Sequence, residues 1–310
     1  MELDFSVGHG ADVAVNYILD NFTPTLDAIA AAIGFVTGGI QGLLVGIPPV
    51  AGIGILTLLS FWRVGWKFAI FALASLALVN HMGLWEGTME TLSLVLSATI
   101  IAVVIGIPAG IAMARSDRVA MLLRPVLDLM QTMPAFVYLI PAAMFFGLGA
   151  VPGTIATVIF AMPPVVRLTN LGIRQVHAEF IEAGLAFGCT PSQLLFKVQL
   201  PNAMPSIMAG VNQTIMLSLS MVVIASMIGA GGLGNSVLTG IQRLDVGAGF
   251  EGGLAVVILA VVLDRITQSF GKGSSGFLSF LAFRKVSGRI RAASQAAGVP
   301  AEAERRSAAA

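Results

Sequence analysis

The chain has 310 residues, of which 56% are hydrophobic and only 11% are charged, and its formal net charge is +1. Soluble domains carry about 25% charged residues, so this composition excludes an ordinary soluble protein, and the net charge gives no support to nucleic-acid binding. The single cysteine, Cys189, excludes an intrachain disulfide and a cysteine-based metal cluster. The apolar runs predict an all-α polytopic membrane protein.

In chain order, residues 1–47 come first. Their start is acidic and has no basic region before an apolar core, so we predict a polar tail and no signal peptide. Residues 28–46 place apolar side chains at helical spacing, but Gly, Thr and Gln dilute the pattern. We therefore favour a helix that lies in the membrane interface over an additional span.

About seven spans are predicted from the apolar runs that follow. They cover residues 49–63, 66–82, 88–112, 126–148, 151–169, 206–230 and 252–271. With the N-terminus outside and the C-terminus inside, Arg243 is the only one of the 17 Lys and Arg residues that falls outside. The positive-inside rule selects this orientation, which places residues 167–205 in the cytoplasm.

Prolines and small residues lie within or beside these spans. The prolines in or beside spans are Pro108, Pro134, Pro141, Pro163 and Pro164. Each removes a backbone donor and predicts a kink or break, while Gly106 and Gly110 have the spacing that lets two helices approach closely. Ordinary helix packing is the simpler explanation, and a kinked, moving pathway wall is the functional alternative.

The cytoplasmic segment 167–205 is polar and helical. Residues 179–187 predict a short helix with Ile181 and Leu185 on one face, and Gly188 suits the position just after its end. A second short helix starts at Thr190, so a tight turn must join the two helices.

Thr190 and Gln193 have the spacing of a capping box, and Pro191 suits the first helical position, so a second short helix begins here. We expect Pro201 to end it at Leu200. A DNA-binding helix pair is disfavoured because membrane spans close on both sides and basic charge is sparse. A surface helix pair without a partner stays open, and a docking site for a soluble subunit fits best.

These residues resemble the EAA loop of ABC importer permeases. The family pattern is Glu-Ala-Ala, three residues, Gly, nine residues, Ile, one residue, Leu-Pro. This chain has Glu182-Ala183-Gly184, three residues, Gly188, nine residues, Val198, one residue and Leu200-Pro201. Gly184 replaces the second Ala, which we expect to loosen the first helix slightly, and Val198 is a conservative replacement.

The resemblance extends over about residues 48–272. LLRPVLDLMQTMPAFVYLIPA (122–142), PPVVRLTNLGIRQV (163–176) and PSIMAGVNQTIMLSLSMVVIASMIGAGGLG (205–234) are similar to permease subunits of glycine betaine/proline betaine importers. Related permeases serve choline, carnitine and similar amine osmolytes, including trimethylamine N-oxide. The residues alone do not decide among these substrates.

The resemblance implies a type I ABC importer transmembrane domain in a bacterial inner membrane, with two permease copies, two ATPase subunits and an extracytoplasmic binding protein. Glu182 would contact the ATPase and Gly188 would make the turn. The implied ATPase-coupling residues are Glu182, Ala183, Gly184, Gly188, Thr190, Pro191, Val198, Leu200 and Pro201. ATP and Mg²⁺ would bind the ATPase, and this chain would need no cofactor and would not be an enzyme.

Other motifs do not support chemistry in this chain. Residues 229–234 match G-x-G-x-x-G, but a long apolar span precedes them, so a flexible outer end of a span is the better interpretation. Residues 271–274 lack the spacing of a Walker A sequence. His9, His81 and His177 are isolated, which argues against metal or hydrolytic catalysis.

Charged and aromatic residues give a weaker signal. Asp128 and Asp264 lie near span ends beside Arg124 and Arg265, which favours interfacial anchoring over a proton path. The three tryptophans, Trp62, Trp66 and Trp85, fall at predicted interfaces. No aromatic cage for a quaternary amine can be assigned, so we expect recognition to reside in the binding protein.

Residues 273–310 contain FLSFLAF followed by basic and Ala-rich sequence. This cytoplasmic tail is expected to lie on the membrane or to be disordered. The alternative function, an ion-coupled secondary transporter of a small solute, would show broken repeats and midplane charges. We find neither, although transport without an ATPase partner would support it.

Overall fold

The computed structural model describes residues 7–271, and over that range every regular element is a helix. The elements are α1 (Val7–Val45), α2 (Pro49–Arg63), α3 (Trp66–His81), α4 (Trp85–Arg115), α5 (Asp117–Thr132), α6 (Ala135–Phe146), α7 (Ala150–Ala161), α8 (Pro163–Arg174), α9 (Ala178–Ala186), α10 (Pro191–Leu194), a π-helical turn (Leu195–Gln199), α11 (Leu200–Ser226), α12 (Leu233–Arg243) and α13 (Val246–Gly271). The all-α prediction is therefore confirmed for the described residues, and the predicted tail 273–310 lies outside them.

Five helical stretches are long and apolar enough to cross a membrane. They are Val15–Val45, Trp85–Arg115, Ala150–Arg174, Pro191–Ser226 and Val246–Phe270. The bent pair α5–α6 would make a sixth, whereas α2 and α3 have 15 and 16 residues. Since a perpendicular span needs about 20 residues, helix length does not confirm the predicted count of about seven.

The predicted span 126–148 is not a continuous helix. α5 and α6 meet at an angle of 100° around Pro134. Proline disfavours helical backbone in the residue before it, and Met133 is extended with ψ of 136°. The Tyr138 hydroxyl donates to the Met130 carbonyl at 2.9 Å, which satisfies one of the acceptors that the break leaves free.

The N-terminal region also differs from the prediction. A single helix, α1, replaces the expected polar tail followed by a separate helix. Gly34 lies against Val151, and Leu44 packs on the apolar cluster around Trp85, so both contacts lie at the same end of the bundle. The interfacial placement of residues 28–46 therefore stays a prediction, beside the alternative of a span.

α4 is the central helix, and it packs closely on α8. An added Cβ at Gly106 would lie 2.6 Å from Val165 Cγ1, and one at Gly110 would lie 2.6 Å from Thr169 Cβ. Only glycine lets the two helices come this close. The predicted close contact through this glycine pair is confirmed, and α4 continues through Pro108 without ending.

Two ion pairs hold α5 beside α8. Arg167 bonds to Asp128 at 2.5 Å, and Arg174 bonds to Asp117 at 2.6 Å. The predicted association of Asp128 with Arg124 is therefore replaced by a partner on another helix, because the fold brings α8 alongside α5. Both pairs are partly exposed, so we assign them orientation of α5 rather than large stabilisation.

The end of the bundle that carries residues 178–200 is called here the 178–200 end. A polar cluster joins α13 to the first half of α11, in the half of the bundle that leads to this end. The Asn212 amide donates to Asp264 Oδ1 at 2.9 Å, and the Gln268 amide donates to the same carboxylate at 2.8 Å. The Thr267 hydroxyl donates to Asn212 Oδ1 at 2.6 Å. Asp264 is thus bound by amides between helices, whereas we had expected anchoring near Arg265.

Hydrogen bonds hold the glycine-rich turn at the opposite end, whereas we had expected a flexible end of a span. Gly229, Gly231 and Gly232 all have positive φ, and α12 begins directly after them. The Gly232 N–H donates to Glu90 Oε2, and the Leu233 N–H donates to the Thr91 hydroxyl, each at 2.8 Å. A carboxylate and a hydroxyl from α4 therefore cap the start of α12.

The contact between α4 and α8 predicts that Gly110→Ala destabilises the fold by about 1–3 kcal/mol, because the new methyl group would collide with the Val166 carbonyl and Thr169. Unfolding of the purified chain by increasing SDS in detergent micelles measures this loss. Gly54→Ala is the matched control, since no atom lies within 4 Å of its added Cβ. Equal stability of the two variants would contradict the prediction.

The polar cluster predicts a second difference. Asp264→Leu should cost about 1–2 kcal/mol, because the amides of Asn212 and Gln268 lose their acceptor. Asp264→Asn keeps an acceptor oxygen and should recover most of this loss in the same SDS titration. If Asp264→Asn is as unstable as Asp264→Leu, the hydrogen bonds do not account for the stability.

Candidate functional site

Residues 178–200 form two helices joined by a tight turn, as the sequence predicts. The first helix, α9, ends at Ala186, and Gly188 follows in left-handed backbone with φ of 75°. The Gly188 N–H bonds to the Leu185 carbonyl at 2.9 Å, and the Cys189 N–H bonds to the Gly184 carbonyl at 3.0 Å. These two bonds define a Schellman motif, so Gly188 sets the direction in which the chain leaves α9.

The second helix begins with the predicted capping box. The Gln193 side chain accepts from the Thr190 N–H at 2.9 Å, and the Thr190 hydroxyl accepts from the Gln193 N–H at 3.3 Å. Pro191 occupies the first helical turn, where its missing N–H costs nothing. Local sequence therefore fixes this start without help from the rest of the fold.

The predicted end of the second helix is wrong. Pro201 does not stop it, because the chain passes through a π-helical turn, Leu195–Gln199, into the long helix α11. Proline lacks an N–H and clashes with the carbonyl four residues before it. The wider turn, in which the Leu200 N–H bonds to the Leu195 carbonyl, accommodates the proline without ending the helix.

Leu195 anchors this turn in the bundle. Its side chain is only 2% exposed and joins a buried cluster with Ile173 of α8 and Ala203 and Ile207 of α11. Ile107 and Ile111 of α4 pack on the same cluster. Packed apolar side chains resist independent movement, so a displacement of the second helix is passed directly to α4, α8 and α11.

Gly184 lies beneath the second helix. It is buried, and a Cβ added there would lie 2.7 Å from Leu194 Cδ1 and 3.5 Å from Val198 Cγ2. Its departure from the family's alanine therefore lets α9 pack more closely on the second helix. We had expected Gly184 to loosen the first helix slightly, whereas the structure shows a close contact between α9 and the second helix.

The base of the segment is fixed by Arg174, the last residue of α8. Its guanidinium donates to the Met113 carbonyl at 2.8 Å and to Asn170 Oδ1 at 3.0 Å, besides the ion pair with Asp117. One side chain thus joins the ends of α4 and α8 to the start of α5. Residues 178–200 project from this rigid junction.

The outward surface of the segment combines a carboxylate with large apolar side chains. Glu182 and Ala183 are exposed on α9, as are Gly188, Thr190, Pro191 and Pro201, whereas Val198 and Leu200 are half-buried. Leu185 is 56% exposed and Phe187 is 88% exposed. Large apolar residues left in the open on a polar segment indicate a contact surface.

Three phenylalanines of this surface were absent from the predicted site. Phe180, Phe187 and Phe196 are 49%, 88% and 59% exposed. Helical spacing does not identify them, because Phe180 and Phe187 lie four and three residues from the buried Gly184, and Phe196 directly follows the buried Leu195.

Other predicted features lie elsewhere. Trp62 and Trp66 are 55% and 62% exposed, as expected of interface residues, but Trp85 is buried with its ring against Gly52. Cys189 is a free, half-buried thiol. Among residues 7–271 no three His, Cys, Asp or Glu side chains come together in a way that could hold a metal ion.

Comparison with known proteins agrees with this architecture. Residues 102–273 match the family described as binding-protein-dependent transport system inner membrane component. The chain is 51% identical over 260 residues to the glycine betaine/proline betaine transport system permease protein ProW of Escherichia coli (strain K12), which covers 84% of this chain and 73% of that protein.

Two further relatives extend the range of similarity. The glycine betaine/carnitine transport permease protein GbuB of Listeria monocytogenes is 52% identical over 258 residues, covering 82% of this chain and 92% of that protein. The trimethylamine N-oxide transport system permease protein TmoV of Ruegeria pomeroyi is 38% identical over 227 residues, covering 73% and 34%.

A solved structure shares the fold. An inward-facing structure of the MetNI methionine ABC transporter contains a chain that superposes with a TM-score of 0.53 at 23% identity, covering 61% of this chain and 93% of that one. This likeness concerns the fold alone. Since the family match covers more than half of the chain and close relatives match over most of their length, the chain belongs to the binding-protein-dependent transport system inner membrane components, which are multi-pass permease subunits of ABC systems.

Proposed function

We propose that this permease imports glycine betaine or a related quaternary or tertiary amine, and that residues 178–200 couple its motion to an ATPase. The substrate class is supported by the relatives, whose names include glycine betaine, proline betaine, carnitine, choline and trimethylamine N-oxide. The coupling role is supported by the exposed surface around Glu182 and Phe187 above a buried anchor at Leu195.

The proposed coupling follows from the packing of the segment. Phe187 and Leu185 insert into an apolar groove on the ATPase, and Glu182 pairs with a basic or amide group at its rim. Gly188 sets the angle between the two helices, while Thr190 and Pro191 hold the start of the second. Movement of the ATPase then reaches α11 through the π-helical turn without an intervening loop.

The assembly is proposed to contain two copies of this chain, two ATPase subunits and a binding protein outside the membrane. ATP and Mg²⁺ belong to the ATPase subunits. The distribution of Lys and Arg favours a cytoplasmic 178–200 end, and the end with Glu90 and the glycine-rich turn then receives the binding protein. Alternation between two packings of the bundle moves the substrate inward.

The docking surface predicts a charge-specific loss of transport. Glu182→Lys should reduce ATP-driven glycine betaine uptake by about tenfold or more, because reversing a contact charge costs several kcal/mol. The measurement is uptake into proteoliposomes that contain the complete complex. Glu251→Lys, at an exposed glutamate near the start of α13, is the control for ATPase binding, because it lies far from residues 178–200.

The amount of ATPase that stays bound to the immobilised permease is measured for the same variants. We expect Glu182→Lys to lose both uptake and bound ATPase, and Glu251→Lys to keep its bound ATPase. Uptake at the original rate by Glu182→Lys would remove the proposed role of this residue. Uptake that persists without any ATPase would instead support the ion-coupled carrier.

The turn predicts a backbone-specific effect. Gly188→Val should lower uptake by about tenfold or more, because a β-branched residue is strained by about 1–3 kcal/mol at a φ of 75°. Gly188→Asn should retain most activity, since asparagine tolerates left-handed backbone. Equal uptake by the two variants in the same proteoliposomes would show that the turn geometry does not matter.

The substrate class predicts selective stimulation. In the reconstituted complex with its binding protein, glycine betaine should stimulate ATP hydrolysis at concentrations about tenfold lower than dimethylglycine. Its ammonium group presents three methyl groups to aromatic rings, a contact of about 1–2 kcal/mol that the hydrated N–H of protonated dimethylglycine weakens. Proline betaine, carnitine, choline and trimethylamine N-oxide complete the panel. Methionine is the negative control, and stimulation by methionine alone would refute the proposed class.

A further inference from the structure

A crevice of about 580 Å³ lies on the outside of the bundle, where the start of α3 meets the last part of α13. Its lining includes Trp66, Lys67, Phe68, Phe71, Val261 and Arg265. None of its lining residues carries a carboxylate. The crevice therefore combines two cationic side chains with apolar walls, and it is separate from the 178–200 surface.

The two cationic side chains of the crevice remain accessible. Lys67 and Arg265 are exposed, and in the part of the chain that the structure describes neither forms an ion pair, although the Lys67 ammonium lies 6.0 Å from the centre of the Trp66 ring. Arg63 provides the contrast, because it donates to the Ser269 carbonyl at 3.2 Å and lies over the Phe270 ring at 3.9 Å. One basic residue thus joins α2 to α13, while its two neighbours stay available to an anion.

The backbone adds to the positive potential. α3 begins at Trp66, and its N-cap residue, Gly65, supplies no side-chain hydrogen bond to the first turn. The N–H groups of a helix start carry about half a positive charge and favour anions. Gly65 also lines the crevice, so this dipole acts together with the charges of Lys67 and Arg265.

The walls favour a lipid over a soluble anion. Trp66 and Phe71 are 62% and 46% exposed, and the tilted rings of Phe68 and Phe71 have centres 5.6 Å apart. α3 is an apolar helix, so its exposed aromatic side chains meet acyl chains in the bilayer. Trp66 stands at the polar boundary, where tryptophan residues concentrate. An anion with an apolar tail matches both parts of the crevice.

The crevice lies at the 178–200 end. α13 runs toward that end, since Asp264 bonds to Asn212 in the first half of α11 and Arg63 bonds to Ser269. The positive-inside rule makes this the cytoplasmic side. Basic pockets between helices on this side are known to hold anionic lipid head groups.

We propose that this crevice binds an anionic glycerophospholipid of the cytoplasmic leaflet. Its phosphodiester lies between Lys67 and Arg265 and faces the start of α3, and one acyl chain runs along Phe68 and Phe71. The bound lipid bridges α3 and α13, and Arg63 already joins α2 to α13. It therefore ties the peripheral α2–α3 hairpin to α13, the helix that Asp264 connects to α11.

Quenching of Trp66 fluorescence tests the proposal in the full-length chain. Trp62→Phe removes the other exposed tryptophan, and dibrominated phosphatidylglycerol or phosphatidylcholine is titrated into the detergent micelles. We expect phosphatidylglycerol to quench at about tenfold or more lower concentration. Lys67→Gln and Arg265→Gln should each reduce this preference by about fivefold, since a basic residue near the membrane surface contributes about 1 kcal/mol.

Arg118→Gln is the matched control, because Arg118 is an exposed basic residue at the same end but lies on α5. Unchanged quenching by phosphatidylcholine shows that each variant keeps the apolar wall. Equal quenching by the two lipids, or an equal loss in Arg118→Gln, would overturn the proposal. Displacement of dibrominated phosphatidylglycerol by millimolar inorganic phosphate would also overturn it, by showing a site for a free anion.

Discussion

The close approach of α4 and α8 is the contact on which the rest of the bundle depends. Within a bilayer, lipid tails solvate apolar side chains as well as neighbouring helices do, so association relies on close packing and hydrogen bonds. Gly106 and Gly110 remove side chains where α8 crosses, and Gly210 does the same where α11 meets Val165. These three glycines bring α4, α8 and α11 together, and Thr169 lies at the Gly110 crossing.

Polar contacts add to these crossings along the bundle. Arg174 joins α8 to the end of α4 and the start of α5, and Asp264 joins α13 to α11. At the opposite end, Glu90 caps α12. The glycine crossings therefore set how closely the helices lie, and the polar contacts set how neighbouring helices are oriented.

Local chemistry explains which parts of the site could be predicted. The turn at Gly188 and the capping box of Thr190 use residues within four positions of each other, and both appear as expected. Pro201 was misjudged because the buried side chain of Leu195 holds the helix together through a π-helical turn, and sequence near the proline does not reveal that packing. Trp85 and Asp264 were misplaced for the same reason, since Gly52 and Asn212 are distant in sequence.

The π-helical turn has a mechanical consequence. Because it preserves the helix, Pro191–Ser226 forms one rod of 36 residues, about 54 Å long. Gly210 lies close to α8 near the middle of this rod, where an added Cβ would be 3.0 Å from Val165 Cα. A rod held at its middle turns about that point, so an inward push at one end becomes an outward swing at the other. In the proposed coupling, one continuous helix therefore links the surface that contacts the ATPase to the opposite end of the bundle.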